Sequence, residues 1–362
     1  MSMEYNQQPI PEEYLTLSEE EMEKRIRDIK EELGSKLVIL GHHYQRDEVI
    51  RFADHRGDSL RLSQLAAEAH EAEYIVFCGV HFMAETADIL GSADQKVILP
   101  DLGAGCPMAD MAELEDLERC WEEITSQYNV EFVPITYVNS TADVKAFCGD
   151  HGGLTCTSSN APKILEQIFK DGKHVLFLPD EHLGRNTAMD LGLTEEDMFQ
   201  WKRDDWDIEL PDNPPKIILW DGYCGVHMRF TPAHVDYVRS KYPGVKVIVH
   251  PECTHEVVEK SDLHGSTDFI IRQVTGAPAG SVWAVGTEIN LVNRLAKENP
   301  EKTVVSLNEN MCLCVMMNRI SQSHLLWALD NLYQGKVVNQ ITVKPEVAKS
   351  AKIALDRMLE MS

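Results

Sequence analysis

From Lys36 onward the chain repeats one pattern three times: a near-continuous apolar run, a polar strand end, a hydroxyl-bearing helix start, two more apolar runs and a cysteine. The first passage runs KLVILGHHY, Ser59, YIVFCG and KVILPD, and closes at Cys106. The second runs EFVPITYVN, Ser158, HVLFLP and KIILWD, and closes at Cys224. The third runs VKVIVHPE, Ser266 with Thr267, SVWAVG and KTVVSLN, and closes at Cys312 or Cys314. Apolar runs without polar alternation suit strands covered on both faces, as in parallel sheets. Their alternation with helical patterns predicts βαβ units with helices on both sides of each sheet. The expected fold class is therefore α/β: three similar three-layer α/β/α domains with short parallel sheets. Three equivalent loops that each deliver one thiol point to a three-cysteine metal or cluster site on a pseudo-threefold axis, with one coordination position left open.

The first strands begin near Lys36, Glu131 and Val245. A spacing of roughly 100 residues is that of a small α/β domain and too long for a solenoid repeat. The expected organisation is an N-terminal arm and helix over 1–35, repeats over 36–130, 131–244 and 245–320, and C-terminal helices over 321–362. Ser18 and Glu21 form a capping-box pattern that opens the helix EMEKRIRDIKEEL, which stops at Gly34. Residues 194–215 are acidic, end in prolines and carry two tryptophans, and read as a surface excursion inserted into the second repeat.

Lys and Arg total 34 against 59 Asp and Glu, a formal charge of −25. Such a surface repels nucleic acid and anionic membranes, so neither is an expected partner. No apolar run approaches the roughly 20 residues of a membrane helix. The opening MSMEYNQQPIPEEY lacks a basic segment followed by an apolar one, so a cytoplasmic location is expected. Nine cysteines, an odd number, argue against a disulfide framework and for core thiols or metal ligands. Cys78, Cys120 and Cys148, in apolar or helical segments, read as core residues.

In open parallel sheets ligands gather at the carboxyl ends of the strands. Here those ends carry His42, His43 and Tyr44 in the first repeat, Tyr137 and Asn139 in the second, and His250 and Glu252 in the third. Ser59, Ser158 and Ser266–Thr267 follow at helix starts, where free N–H groups and the helix dipole favour a carboxylate or phosphate. One such serine is ordinarily a plain cap; three in register predict an anion-binding chamber. His43 reads as structural. The His and Tyr side chains can move protons near neutral pH, and Glu252 can act as a base if burial raises its pKa. The cysteine spacing is not that of a zinc ribbon, and a structural zinc site wants four closed ligands. Three separated thiolates suit an iron–sulfur cluster with one iron lacking a protein ligand, and that iron can act as a Lewis acid.

The segments GHHYQRDEVIRFADHRGDS, PDLGAGCPMAD, YVNSTADVK with CTSSNA, PDEHLGRNTA, WDGYCGVH, HPEC, GST and MCLCVMMN follow one another in an order that resembles the quinolinate synthases, from about Lys36 to Arg319. The resemblance implies three α/β domains around a [4Fe–4S] cluster held by three cysteines. It implies a condensing, transferase-type enzyme that joins iminoaspartate (iminosuccinate) to dihydroxyacetone phosphate, giving quinolinate, phosphate and water in NAD biosynthesis. It assigns the metal to Cys106, Cys224 and one thiol of the pair Cys312 and Cys314, with Cys314 favoured. It assigns substrate contacts to His42, Ser59, Tyr137, Asn139, Ser158, His250, Glu252 and Thr267, with His42, His250 and Glu252 also in the catalytic set. Tyr44 becomes an acid/base or orienting group, and His227 a secondary candidate. A functional link to an L-aspartate oxidase is one source of iminoaspartate that the resemblance allows, an aspartate dehydrogenase the other. Two readings of other classes stay open: an iron–sulfur electron-transfer or sensor protein, which needs no anion chamber, and a zinc-dependent lyase.

Overall fold

The computed structural model describes residues 9–205, 208–310 and 313–361. The apolar runs are strands, and they assemble into three sheets. The first contains β1 (Leu37–His42), β2 (His55–Gly57), β3 (Tyr74–Cys78) and β4 (Lys96–Ile98). The second contains β5 (Phe132–Tyr137), β6 (Leu154–Cys156), β7 (His174–Leu178), β8 (Met198–Trp201) and β9 (Ile217–Trp220). The third contains β10 (Lys246–Val249), β11 (Leu263–His264), β12 (Val282–Gly286) and β13 (Thr303–Ser306). A last short strand, β14 (Gln340–Ile341), joins the first sheet beside β4. That pairing is antiparallel, and every other strand pair is parallel.

One order recurs: β2-β1-β3-β4, β6-β5-β7-β9 and β11-β10-β12-β13. In each sheet the chain steps to one side of its first strand and then crosses to the other. The carboxyl ends of the first and third strands therefore flank a switch point, where crossovers diverge and leave a crevice. The second strand of each sheet has two or three residues and was not visible as a separate run in the sequence.

The chain divides into two compact units, Met1–Cys106 with Leu313–Lys344 and Pro107–Cys312 with Pro345–Ser362. The first holds the β1–β4 sheet with β14. Its Glu19–Leu33 helix is capped by Ser18, whose hydroxyl accepts the Glu21 N–H, and ends at Gly34 with φ 51°. The Gln322–Tyr333 helix packs on it. The second unit holds the other two sheets, and the Pro345–Glu360 helix packs on the Ala142–Asp150 helix and on β6.

Residues 194–215 correct one expectation. They are not only a surface excursion, because they supply β8, which pairs with β9 and extends the second sheet. Trp201, at the end of β8, is 0% exposed in the second sheet's core, and the Arg119 guanidinium lies over its ring at 5.2 Å. Trp206 lies outside the described residues. Among the described residues, no helix is long and apolar enough to cross a membrane.

Candidate active site

Glu252 organises the strand ends of the second unit. It follows β10, is 3% exposed, and its Oε2 lies 2.6 Å from His227 Nδ1. Tyr137, the last residue of β5, adds a hydrogen bond to the same carboxylate. The His227 ring stacks on that of His250 at 4.7 Å and 25°, and its Nε2 lies 3.1 Å from the Thr287 hydroxyl beyond β12. His250 Nδ1 accepts the Glu252 backbone N–H at 3.4 Å, so Nε2 carries the ring proton and faces Ser158 Oγ at 3.2 Å. Four of the expected residues, Tyr137, Ser158, His250 and Glu252, thus form one connected set.

Burial alone would raise the Glu252 pKa, the condition under which the sequence makes it a base. The result is the opposite. The His227 and His250 rings beside it, with hydrogen bonds from His227 and Tyr137, outweigh desolvation and hold the carboxyl well below its ordinary value. Glu252 is therefore a carboxylate at neutral pH. Burial pushes His250 down, Glu252 opposes this and His227 adds to it, leaving a pKa of about 3. The neutral ring agrees with Nδ1 acting as an acceptor.

Asp180 follows β7, at the same sheet end as Tyr137. Its Oδ1 accepts the Leu183 N–H at 2.7 Å, capping the Glu181–Asp190 helix. Its Oδ2 is buried without a hydrogen-bond partner among the described residues. Burial, reinforced by the charge of Glu252, pushes this carboxyl well above the usual carboxylate range. Asn139 Oδ1 is likewise buried and unpartnered among the described residues. Buried polar atoms without partners are rare, and a row of them at a sheet end fits an absent polar ligand.

The helix starts differ in detail from the expected pattern. Asp58 caps the Ser59–Glu68 helix, leaving Ser59 as its first residue. Asn160 occupies the cap position of the Ala161–Lys170 helix, so Ser158 lies two residues ahead of the cap. Ser266 is a true cap, its hydroxyl accepting the Phe269 N–H, and Thr267 is the buried first residue after it.

In the first unit, the end of β1 repeats the His250–Glu252 geometry. His42 is buried, and its Nδ1 accepts the Tyr44 backbone N–H at 3.1 Å. The two rings meet edge-on at 4.7 Å. Cys106 and Cys314 also belong to this unit.

Eight cysteines lie within the described residues, and burial sorts them. Cys78, Cys120, Cys148, Cys156 and Cys253 are buried, whereas Cys106, Cys224 and Cys314 are partly exposed. Desolvation pushes the Cys78 thiol up to about 12 and raises the other four buried thiols as well. A thiol held protonated is a poor metal ligand. Cys312, the alternative third ligand, lies outside the described residues. Cys224 sits beyond β9 in a loop that passes close to the β7 loop: a Cβ on Gly222 would lie 2.2 Å from the Pro179 carbonyl oxygen. The Cys224, His227 and Glu252 ligand atoms all lie within 4.8 Å of one another and could hold a metal ion. Thiolate, imidazole and carboxylate make a mixed donor set of the kind borderline transition metals accept.

A family model described as quinolinate synthetase A protein matches residues 24–360. The chain belongs to that family. It is 56% identical to the quinolinate synthase of Anoxybacillus flavithermus over 352 residues, 97% of this chain and 96% of that one. It is 54% identical to the quinolinate synthase of a Geobacillus species over 355 residues, with 98% and 97% covered. The Bacillus anthracis quinolinate synthase is 53% identical over 353 residues, with 97% and 96% covered. Family membership makes the chain an enzyme of NAD biosynthesis acting on small molecules.

Of the residues that this cluster brings together, sequence reasoning gave His227 only a secondary place and missed Thr287 and Asp180. For His227 the signal was present: three residues after Cys224, in a 3₁₀ turn, a side chain returns to the same loop cluster.

Proposed function

We propose that this chain condenses iminoaspartate with dihydroxyacetone phosphate to give quinolinate, phosphate and water. The carrying observation is the buried Glu252 carboxylate held by Tyr137, His227 and His250 at strand ends that also present Ser158 and Cys224. Condensation, dehydration and ring closure require protons to be removed and returned, and this set offers one ionised acceptor beside several N–H and O–H groups. Glu252 is the ionised group that accepts a proton from substrate carbon or nitrogen; the hydrogen bonds from His227 and Tyr137 fix its position and keep it ionised, at a cost in basicity. Ser59, His42, Ser158, Asn139 and Thr267 contact the substrate's anionic groups. Tyr44, tied to His42, is an acid/base or orienting group.

Cys106, Cys224 and Cys314 would hold a [4Fe–4S] cluster, and their exposure beside five buried thiols supports this ligand set. When bound, the cluster supplies an iron with an open position, a Lewis acid for a substrate hydroxyl or carboxylate. The repeated strand order supports reading 36–130, 131–244 and 245–320 as related domains in a pseudo-threefold arrangement, each delivering one cysteine. Cytoplasmic location and supply of iminoaspartate by an L-aspartate oxidase belong to the same reading.

Anaerobic turnover of cluster-loaded protein with both substrates tests the function. Absence of quinolinate with the cluster intact sinks it and leaves the electron-transfer or sensor reading. The compact Cys224, His227 and Glu252 set favours one further alternative, a zinc-dependent lyase. Metal analysis of anaerobically purified protein separates them: about four irons and four sulfides for the cluster, zinc for the lyase.

A further inference from the structure

We propose that Asn186 is the residue that positions Glu252, by clamping the backbone on both sides of it. Asn186 sits in the Glu181–Asp190 helix and is 1% exposed. Its Nδ2 donates to the Pro251 carbonyl at 2.8 Å and to the Cys253 carbonyl at 2.9 Å. These are the two carbonyls flanking Glu252, in a loop where neither helix nor strand pairing satisfies them. Asn186 Oδ1 faces His255 Nδ1 at 2.9 Å. The two carbonyls can only accept, so they place the NH2 group on the loop side and leave Oδ1 to accept from the His255 Nδ1–H.

The helix behind Asn186 is itself held tightly. A Cβ on Gly184 would lie 2.7 Å from both Leu219 and Phe177 side chains, so the helix lies directly on β7 and β9. Glu252 follows β10 of the third sheet. The clamp therefore ties the backbone of a third-sheet residue to the second sheet, which supplies Tyr137 and the Cys224 loop. Errors of about 1 Å in a reacting group cost about 10²-fold in rate, and a loop of five residues without regular pairing does not hold that tolerance by itself.

The proposal rests on the reading of Glu252 as the proton acceptor, so its test carries one readout that needs no turnover. In full-length protein labelled with ¹³C-glutamate, the infrared carboxylate band lost in Glu252→Gln identifies Glu252. Asn186→Leu, which keeps the volume and removes both donors, is expected to shift or broaden that band. In cluster-loaded enzyme it is expected to lower kcat by about 10²-fold with KM changed less than about threefold. His255→Phe leaves both donors but frees the amide; a smaller change in the same band and in kcat is expected, which guards against poor folding of the leucine variant. An unchanged band and a kcat within about twofold of wild type in either folded variant overturns the proposal. If the wild type forms no quinolinate, the Glu252 reading fails on its own, and the infrared comparison still decides whether Asn186 sets its position.

Discussion

His227 Nδ1 lies 2.6 Å from Glu252 Oε2, and the two side chains are 1% and 4% exposed. A contact this short and this enclosed keeps its electrostatic strength, because no water competes for either partner. It also explains why burial does not neutralise Glu252: the cost of desolvating the carboxylate is met by donors aimed at it from β5 and from the Cys224 loop.

Glu252→Gln replaces the charged acceptor with an amide of the same shape. The expected outcome is a fall in kcat of about 10²–10⁴-fold, the range of a general acid/base group, with iron content unchanged. Steady-state quinolinate formation under anaerobic conditions checks it; a fall of less than tenfold is incompatible with the role assigned to Glu252.

Tyr137→Phe keeps the ring at the end of β5 and removes only the hydroxyl that meets Glu252. A hydrogen bond to a charged group contributes about 1.5–3 kcal/mol, so kcat/KM is expected to drop roughly 10- to 100-fold. A change confined to thermal stability, with kcat/KM intact, would contradict a part for Tyr137 in the site.

Differential burial of the cysteines predicts a labelling pattern. In native metal-free protein, iodoacetamide is expected to modify Cys106, Cys224 and Cys314 and to spare Cys78, Cys120, Cys148, Cys156 and Cys253, because reaction requires an accessible thiolate. Peptide mass spectrometry reads each site. Rapid labelling of Cys120 or Cys253 would count against the sorting, and so would iron retained by Cys314→Ser.

His182 is buried, and neither ring nitrogen has a hydrogen-bond partner among the described residues. Burial lowers its pKa from the ordinary 6.5 to about 4. The unfolded chain takes up a proton below about pH 6.5 that the folded protein refuses until near pH 4. Stability is therefore whole above pH 6.5 and falls as the pH drops through this window, by about 1–3 kcal/mol. His182→Phe is expected to flatten that part of the acid limb in urea titrations at pH 7, 6 and 5; an unchanged limb would exclude the assignment.

Trp201→Ala tests the extra strand of the second sheet. Truncating a fully buried tryptophan costs about 3–5 kcal/mol, so a clear fall in Tm is expected. A loss under about 1 kcal/mol would mean that β8 is peripheral to the core.

The long strands were legible because β1, β3, β5, β7, β9, β10 and β12 have buried apolar runs that register as a pattern on their own. HRG, LTC and LH do not, and β2, β6 and β11 exist only because a first strand offers them a parallel edge. Strand β8 was hidden by its acidic, proline-bounded surroundings. Within the site, Glu252, His250 and Tyr137 announced themselves as polar residues closing apolar runs. The direction of the Glu252 shift did not, because it depends on His227 and Tyr137, distant in sequence and brought close only by the fold. Asn186 carried no sequence signal beyond its place in PDEHLGRNTA, since its partners are backbone carbonyls.

The packing of the Pro345–Glu360 helix has a consequence for biosynthesis. A Cβ on Gly149 would lie 2.0 Å from the Ser350 carbonyl oxygen, and Arg357 Nη1 donates to the Gly153 carbonyl at 2.6 Å. The last helix is thus seated against the first helix and second strand of the second sheet, and β14 closes the edge of the first sheet. Neither unit has its full complement of elements until the final stretch of chain leaves the ribosome. The nascent protein must wait with apolar edges uncovered, so a ribosome stalled near residue 340 should release a chain that aggregates instead of a shortened enzyme.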